Sequence, residues 1–327
     1  MSHIFDALQR SEAEYAGGDI SELPEVTEML RRAERRAASR WETAVLSGHL
    51  GTVTDTGPGA PSDIREPRQI RSDSEAPITE EPLQAEERLA PFDQFQSLQV
   101  SITPQSRLVS LTDNGSPASE AFRLLGVRLR HLRRDRAVKK VLITSTIPQE
   151  GKSTVTANLA CTLALKTQQR LLILEGDLRR PSLSKMFGIG KNPGLSEWLQ
   201  DSRSLTSSIY RLESANLWLL PAGSTPSNAL ELLQSGKLSR LMDQLAMWFD
   251  WIIIDSPPVL PLADTSVWMR FADGILLTTR QGTTEGQQLQ KGLEAIEADK
   301  LIGAVVNSSR NASTSDYYYS PATLHSS

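Results

Sequence analysis

The chain has 327 residues and a formal net charge of −4, so its overall charge gives no general reason to expect a binder of nucleic acid or another polyanion. Its single cysteine, Cys161, excludes an internal disulfide framework and a metal site built from several cysteines. Residues 1–6 lack the basic start and apolar run of a signal peptide, and no apolar stretch approaches the roughly 20 residues that span a bilayer. We therefore expect a cytoplasmic protein, with any membrane association arising through a partner or a surface helix.

The N-terminal part, residues 1–117, shows little sustained apolar periodicity. A short helix is predicted where Ile4, Phe5 and Leu8 share one face, and a second, strongly charged helix at about residues 24–41. The first helix is either a docking element for a membrane partner or a solvated helix. Residues 51–91 are rich in Gly, Pro, Ser, Thr, Asp and Glu, which predicts a flexible linker because such a composition buries too little apolar area to offset the entropy of ordering.

From about residue 118 to residue 312 apolar strands alternate with amphipathic helices. The predicted strands lie at residues 141–143, 171–174, 217–220, 251–254, 274–277 and 302–306. Near-continuous apolar strands separated by helices are typical of a mostly parallel sheet that helices cover on both faces. The sequence therefore predicts one α/β domain at residues 118–312, followed by a polar tail at residues 313–327.

The first of these strands runs into a phosphate-binding loop. A strand, then Gly151-Lys152-Ser153-Thr154, then a helix is the context of such a loop, because backbone N–H groups at a helix N-terminus bind anions. Lys152 is expected on the β- and γ-phosphates, and Ser153 is expected to offer its hydroxyl to Mg²⁺. Thr146 stands where the usual pattern has its first Gly, so a chance match in a strand-to-helix turn is the alternative. The predicted ATP contacts are Pro148, Gln149, Glu150, Gly151, Lys152, Ser153 and Thr154.

Acidic residues end two further strands. Asp255 follows one strand, and Glu175 and Asp177 follow another. Ligands of such sheets bind beyond the carboxyl ends of the strands, so we expect Asp177 and Asp255, together with Ser153, to hold Mg²⁺. One of the carboxylates of Asp177, Asp255 and Glu175 is expected to orient or deprotonate an attacking hydroxyl, beside the catalytic Lys152. Taken alone, Asp255 is equally well explained as a turn residue before two prolines. Which carboxylate acts as the base stays open.

Residues 120–307 resemble the bacterial tyrosine kinases of capsule and exopolysaccharide export systems. The resemblance rests on the loop around Lys152 and on residues 177–181 and 255–258, and it extends to residues 220–233 and 280–284. It implies a P-loop NTPase fold that binds MgATP. It also implies transfer of the γ-phosphoryl group to tyrosines in the enzyme's own C-terminal tail, between neighbouring subunits of a ring. Family members work with a membrane activator, which we expect here to be a separate protein.

The sequence departs from the family pattern at three positions. Gln149 replaces a Gly after the loop proline, which makes the turn less permissive. Glu175 stands where the family has an Asp, so its carboxylate reaches about one methylene further. Glu120 and Arg123 match the family's oligomerisation pattern Glu-x-x-Arg-x-x-Arg, but Gly126 replaces its last Arg.

Five tyrosines occur in the chain, and Tyr317, Tyr318 and Tyr319 are consecutive in the polar tail. This cluster is interpreted as a multi-site phosphoacceptor, in which added phosphates introduce negative charge and alter subunit contacts. A docking tail that uses its aromatic rings for contact is the alternative.

Two rival functions use the same sheet. A positioning ATPase of the ParA and MinD type would carry a lysine at Ile147 and would lack the tyrosine cluster. A catalytically weak nucleotide-binding regulator of polysaccharide chain length is suggested by Gln149, Glu175 and Gly126. A basic run at residues 128–140 has no base-reading motif beside it, so no specific nucleic-acid partner is expected.

Overall fold

A computed structural model describes residues 92–103, 106–165, 169–260 and 262–307, together with Arg32. The predicted helix near the N-terminus, the linker at residues 51–91 and the tyrosine cluster lie outside these residues. Of the second predicted helix, only Arg32 is described, and it is helical. None of the helices in the described ranges is both long enough and apolar enough to cross a membrane.

Within the described ranges, eight strands form one sheet in the order β1-β4-β5-β3-β6-β2-β7-β8. Every neighbouring pair is parallel except β4 and β5, which are antiparallel. The strands are β1 (Gln96–Leu98), β2 (Lys140–Ser145), β3 (Leu171–Glu175), β4 (Tyr210–Leu212), β5 (Leu217–Leu220), β6 (Trp251–Asp255), β7 (Gly274–Arg280) and β8 (Leu301–Asn307).

Helices pack on both faces of this sheet. The helices are α1 (Val109–Thr112), α2 (Pro117–Asp135), α3 (Lys152–Ala164), α4 (Leu183–Met186), α5 (Leu195–Leu199), α6 (Ala229–Leu233), α7 (Lys237–Trp248), α8 (Asp264–Met269) and α9 (Gly286–Glu294). One apolar cluster joins the sheet to α2, α3 and α4, and a second joins it to α5, α6, α7, α8 and α9. The first turn of α2 is capped by Ser116, whose side chain accepts a hydrogen bond from the Ser119 N–H.

The central strand β6 explains the near-continuous apolar sequences. Trp251 and Ile253 belong to the cluster on one face, whereas Ile252 and Ile254 belong to the cluster on the other. Because successive side chains of a strand point to opposite faces, a strand covered on both faces must be apolar at every position.

The structure contains all six predicted strands and adds β1 and β4, each three residues long. Neither has an apolar run, since two of the three β1 residues and the central β4 residue are exposed. The strand β1 precedes residue 118, where we expected the domain to begin. Phe95, just before β1, anchors this segment by packing against Phe249, with ring centroids 6.2 Å apart, and against Trp248, at 6.1 Å.

Candidate nucleotide site

The phosphate-binding loop connects β2 to α3 and contains two residues in the left-handed region. Gly151 has a φ of 91°, and a Cβ atom there would lie 2.0 Å from Nδ2 of Asn307, so the position requires glycine. Gln149 has a φ of 69°, a conformation that disfavours a residue with a side chain. The departure at Gln149 therefore falls where the backbone would suit glycine. Pro148 and Gln149 are exposed on the outside of the loop, while Thr154 is half-buried in the first turn of α3.

A buried carboxylate holds this loop to the neighbouring strands. Glu150 Oε2 accepts a hydrogen bond from the Ile147 N–H at 2.8 Å, and Oε1 accepts from the hydroxyls of Thr279, at 3.3 Å, and of Thr284. The backbone carbonyl of Glu150 accepts from Asn307 Nδ2 at 2.9 Å. Sequence reasoning did not identify Thr279 and Asn307 as loop contacts, and it noted Thr284 only as part of the family-like run at residues 280–284.

Lys152 begins α3 and points at the acidic residues. Its Nζ atom lies 3.0 Å from Asp177 Oδ2 and 3.4 Å from the Ser153 hydroxyl oxygen. Burial lowers the pKa of Lys152, but the charges of Asp255 and Asp177 outweigh burial and leave this pKa above its ordinary value. The side chain is therefore a stable ammonium group, as a phosphate contact requires.

Asp255 lies at the end of β6, beside the phosphate loop. Its Oδ2 atom accepts a hydrogen bond from the Ser153 hydroxyl at 2.7 Å, and Oδ1 accepts from the Thr156 hydroxyl at 3.3 Å. Burial raises the pKa of Asp255, and the positive charge of Lys152 opposes that rise. The order of strands produces this contact, because β6 lies between β2 and β3 and its end meets the loop that leaves β2.

The oxygen ligands in this cluster fit a magnesium ion that is shared with a bound phosphate. The carboxylates of Asp177 and Asp255 and the Ser153 hydroxyl all lie around Lys152. The described part of the chain has no group of three or more acidic, histidine or cysteine residues that would hold a metal by themselves. Proteins usually bind Mg²⁺ through one or two carboxylates together with substrate phosphates, so this small set is sufficient.

Glu175 occupies the position opposite Asp255 on the adjacent strand β3, but it is bound differently. Its Oε1 atom accepts hydrogen bonds from the backbone N–H groups of Ser182 and Leu183, each at 2.6 Å, and Oε2 accepts from the Ala222 N–H at 3.0 Å. Burial raises the pKa of Glu175, and these three backbone bonds oppose the rise. Both carboxylate oxygens of this predicted catalytic residue are thus engaged by the backbone.

The predicted oligomerisation residues lie away from this cluster, on α2. Glu120 and Arg123 form an ion pair with 2.5 Å between Oε2 and Nη1. Gly126 is buried against α3, where a Cβ atom would be 3.5 Å from both Leu163 and Thr162. The third position of the pattern therefore faces the interior of the domain.

Comparison with known proteins agrees with this arrangement. Residues 145–302 match the family model of the AAA domain. The chain is 33% identical to the tyrosine-protein kinase YwqD of Bacillus subtilis over 66% of this chain and 91% of that protein. It is 32% identical to the putative tyrosine-protein kinase CapB of Staphylococcus aureus, over 62% of this chain and 90% of the relative.

Solved structures show the same fold. The crystal structure of the chimerical protein CapA2B2 aligns with a TM-score of 0.58 and 32% identity, over 64% of this chain and 92% of the other. The kinase domain of the Escherichia coli tyrosine kinase ETK aligns with a TM-score of 0.60 over 73% of this chain and 100% of that domain, at 23% identity. With its phosphate loop, its acidic strand ends and these relatives, the chain belongs to the bacterial tyrosine-protein kinases and has their P-loop fold.

Proposed function

We propose that this chain is an ATP-dependent tyrosine autokinase that phosphorylates Tyr317, Tyr318 and Tyr319 in its own C-terminal tail. This phosphorylation would regulate the polymerisation and export of an exopolysaccharide or capsule. The observation that carries the proposal is the cluster beside the phosphate loop, in which the partly buried ammonium group of Lys152 lies 3.0 Å from one carboxylate and next to a second.

The phosphates of ATP are assigned to the N-terminus of α3, where the loop N–H groups and Lys152 provide positive charge. Of the three predicted Mg²⁺ ligands, Ser153 and Asp255 are the two that we assign to the ion, since they already share a hydrogen bond of 2.7 Å, and Asp177 is assigned to the acceptor instead. Mg²⁺ would neutralise the charge that develops on the transferred phosphoryl group. Lys152 would then exchange part of its contact with Asp177 for the phosphate oxygens.

Asp177 is the carboxylate that we assign to the acceptor hydroxyl. Both oxygens of Glu175 are held by backbone N–H groups, and Asp255 is bound to the assigned Mg²⁺ ligand Ser153. Only one oxygen of Asp177 is held by the backbone, and the other contacts Lys152, which is free to turn to the phosphates. In the transfer, the tyrosine oxygen forms a bond to the γ-phosphorus, the bond between that phosphorus and the bridging oxygen of ADP breaks, and the tyrosine proton passes to Asp177. The supporting contact is the one between Asp177 Oδ2 and Lys152 Nζ, which places this carboxylate beside the assigned phosphate site.

The partners follow from family membership and are part of the proposal. A second copy of the chain would present its tail to this site, and the exposed pair of Glu120 and Arg123 on α2 is the candidate contact between copies. A separate membrane-embedded polysaccharide copolymerase would act as the activator. Through it the kinase would be held at the inner face of the plasma membrane.

The test is incubation of the purified full chain with labelled ATP and Mg²⁺, with and without the activator's cytoplasmic segment. We expect label on the three tail tyrosines, and we expect replacement of all three by Phe to remove most of it while ATP binding persists. The matched control is Tyr15→Phe, which should label like the parent. Equal labelling of the triple variant and the parent would disprove the tail assignment. Phosphate release without protein label would indicate an ATPase switch, and binding with neither would indicate a regulator.

A further inference from the structure

We propose that α8 is a brace that positions Asp177 for phosphoryl transfer, with Asp264 as a positioning residue that acts through Arg179. This inference rests on the proposed kinase function and extends it to α8, which lies outside the phosphate loop and the two acidic strand ends. The loop that carries Asp177, residues 176–181, is called the acidic loop below.

The first contact is a two-point ion pair. Arg179 Nε lies 2.8 Å from one carboxylate oxygen of Asp264, and Nη2 lies 3.2 Å from the other. The Asp264 side chain is 1% exposed, whereas the Arg179 side chain is 39% exposed. A buried carboxylate is unfavourable unless it is paired, and the planar guanidinium fixes its partner's orientation as well as its distance. The pair therefore attaches the acidic loop to the first turn of α8.

This attachment leads directly to Asp177. The backbone N–H of Arg180, the residue after Arg179, donates to Asp177 Oδ1 at 3.0 Å. The other oxygen of the same carboxylate faces Lys152 Nζ at 3.0 Å. Any shift of the loop around Arg179 would consequently move the Asp177 carboxylate relative to the ammonium group that we assign to the phosphates.

A second contact from α8 fixes the loop on the other side of Asp177. The indole N–H of Trp268 donates to the carbonyl oxygen of Gly176 at 3.1 Å. Trp268 is fully buried, and a Cβ atom at Gly176 would lie 2.7 Å from its ring. The helix thus holds the acidic loop both before and after the carboxylate.

The same helix also contacts the loop that follows Asp255. The Thr265 hydroxyl, one residue after Asp264, donates to the carbonyl oxygen of Pro257 at 2.8 Å. Thus α8 touches both acidic strand ends. It sets the separation between the carboxylate assigned to Mg²⁺ and the carboxylate assigned to the acceptor, although none of its own side chains belongs to the cluster around Lys152.

A double-mutant cycle on the ion pair tests the inference. The variants are Asp264→Asn, Arg179→Met and the double variant, each measured for kcat and KM for ATP in tail phosphorylation. A shift of the acceptor carboxylate lowers kcat with little effect on nucleotide binding. We therefore expect each single variant to lose about 10- to 100-fold in kcat, with KM for ATP unchanged within about twofold. The double variant should lose no more than the worse single variant, because both remove the same contact.

The matched control is Asp201→Asn, which breaks the exposed ion pair with Lys237 and should leave kcat unchanged. The inference would be overturned if Asp264→Asn kept the kcat of the parent. It would also be overturned if the fold-loss of kcat in the double variant equalled the product of the two single losses. If Asp264→Asn or Arg179→Met does not fold, Arg179→Lys decides through the same separation of kcat from KM, since it keeps a positive charge beside the buried Asp264 but cannot bond both carboxylate oxygens. If the parent releases phosphate without labelling tyrosine, the proposed kinase function fails, and the same cycle measured on phosphate release still decides the role of Asp264.

Discussion

Two carboxylates face each other at the ends of adjacent strands, Glu175 on β3 and Asp255 on β6, and each is 1% exposed. Their partners differ. Glu175 is bound by three backbone N–H groups, whereas Asp255 is bound by the hydroxyls of Ser153 and Thr156 and lies near Lys152. Backbone donors cannot leave without unfolding the loops that carry them, but side-chain donors can rotate when a metal or phosphate arrives. Despite equal burial and similar position, the carboxylate on β3 thus has fixed backbone donors, whereas the one on β6 has side-chain donors that can move, as the proposed Mg²⁺ ligand requires.

The largest effect is expected at Lys152, which lies near Asp255 and makes no contact with Glu175 in the hydrogen bonds described above. Lys152→Met removes the ammonium from the phosphate site, and we expect a loss of tail phosphorylation of about 10³-fold or more. The same change removes the charge that opposes the effect of burial on Asp255, so the pKa of Asp255 should rise further. Radiolabel incorporation measures the first effect. Activity within tenfold of the parent would show that Lys152 does not bind the transferred phosphate.

The next largest effect is expected for Asp255, and it distinguishes the proposed role of Asp255 from that of Glu175. Asp255→Asn keeps the shape of the side chain but weakens a magnesium ligand, so we expect about a 10²- to 10³-fold loss of kcat and a higher Mg²⁺ requirement. The folded state should be stable, because removing a buried charge relieves its desolvation. Activity against Mg²⁺ concentration and a urea unfolding curve measure the two quantities. Unchanged Mg²⁺ dependence would exclude Asp255 as a ligand.

Glu175→Gln should lower the stability of the folded state more, and kcat less, than Asp255→Asn does. The amide supplies one carbonyl oxygen for Ser182 and Leu183, but its NH₂ group then faces the Ala222 N–H and leaves that donor unpaired. We expect a loss of about 1–3 kcal/mol in the free energy of unfolding and a smaller loss of kcat than in Asp255→Asn. Urea unfolding and labelling of the same samples test this. A stable but inactive Glu175→Gln variant would make Glu175 the base and Asp177 a supporting residue.

The smallest effect concerns pH and contrasts Glu175 with Glu197. Burial raises the pKa of Glu175, so its contribution to stability is complete below the ordinary value of 4.5 and is lost as the pH rises through the raised pKa. For the half-buried Glu197, burial is outweighed by donors that include the Gly194 and Ser224 N–H groups, and its pKa falls to about 2. Its contribution is present above 4.5 and is lost as the pH falls towards about 2.

Thermal melting over a pH range that extends from about 2 to well above 4.5 checks this contrast. We expect Glu197→Gln to flatten the acid side of the curve by a few degrees or less, because exposure screens the interaction. Glu175→Gln should instead reduce the loss of stability at higher pH. If the melting temperature of Glu197→Gln fell with decreasing pH as steeply as that of the parent, the hydrogen bonds from the backbone to Glu197 would not persist in solution.

The sequence predicted the phosphate loop, Lys152, Ser153 and Asp255 because strand, loop and helix follow one another locally and each carries its own pattern. It did not distinguish Glu175 from Asp255. The difference depends on the N–H groups of Leu183 and Ala222, which are brought to Glu175 by the packing of α4 and of the turn after β5.

Other features depended on tertiary structure in the same way. The contacts of Asp264 with Arg179 and of Trp268 with Gly176 have no local sequence pattern, since the paired residues are 85 and 92 positions apart. The strands β1 and β4 are too short for a periodicity to appear, and β4 pairs with β5 through its backbone. Backbone pairing and long-range side-chain contacts cannot be read from the residues that make them.

Mapping of phosphotyrosine by mass spectrometry, on the full chain incubated with ATP and Mg²⁺, tests the proposed function most directly. The expected result is phosphate on Tyr317, Tyr318 and Tyr319 in the parent and none in Lys152→Met. Nucleotide binding and phosphate release by the parent, with no phosphate on any tyrosine, would contradict it.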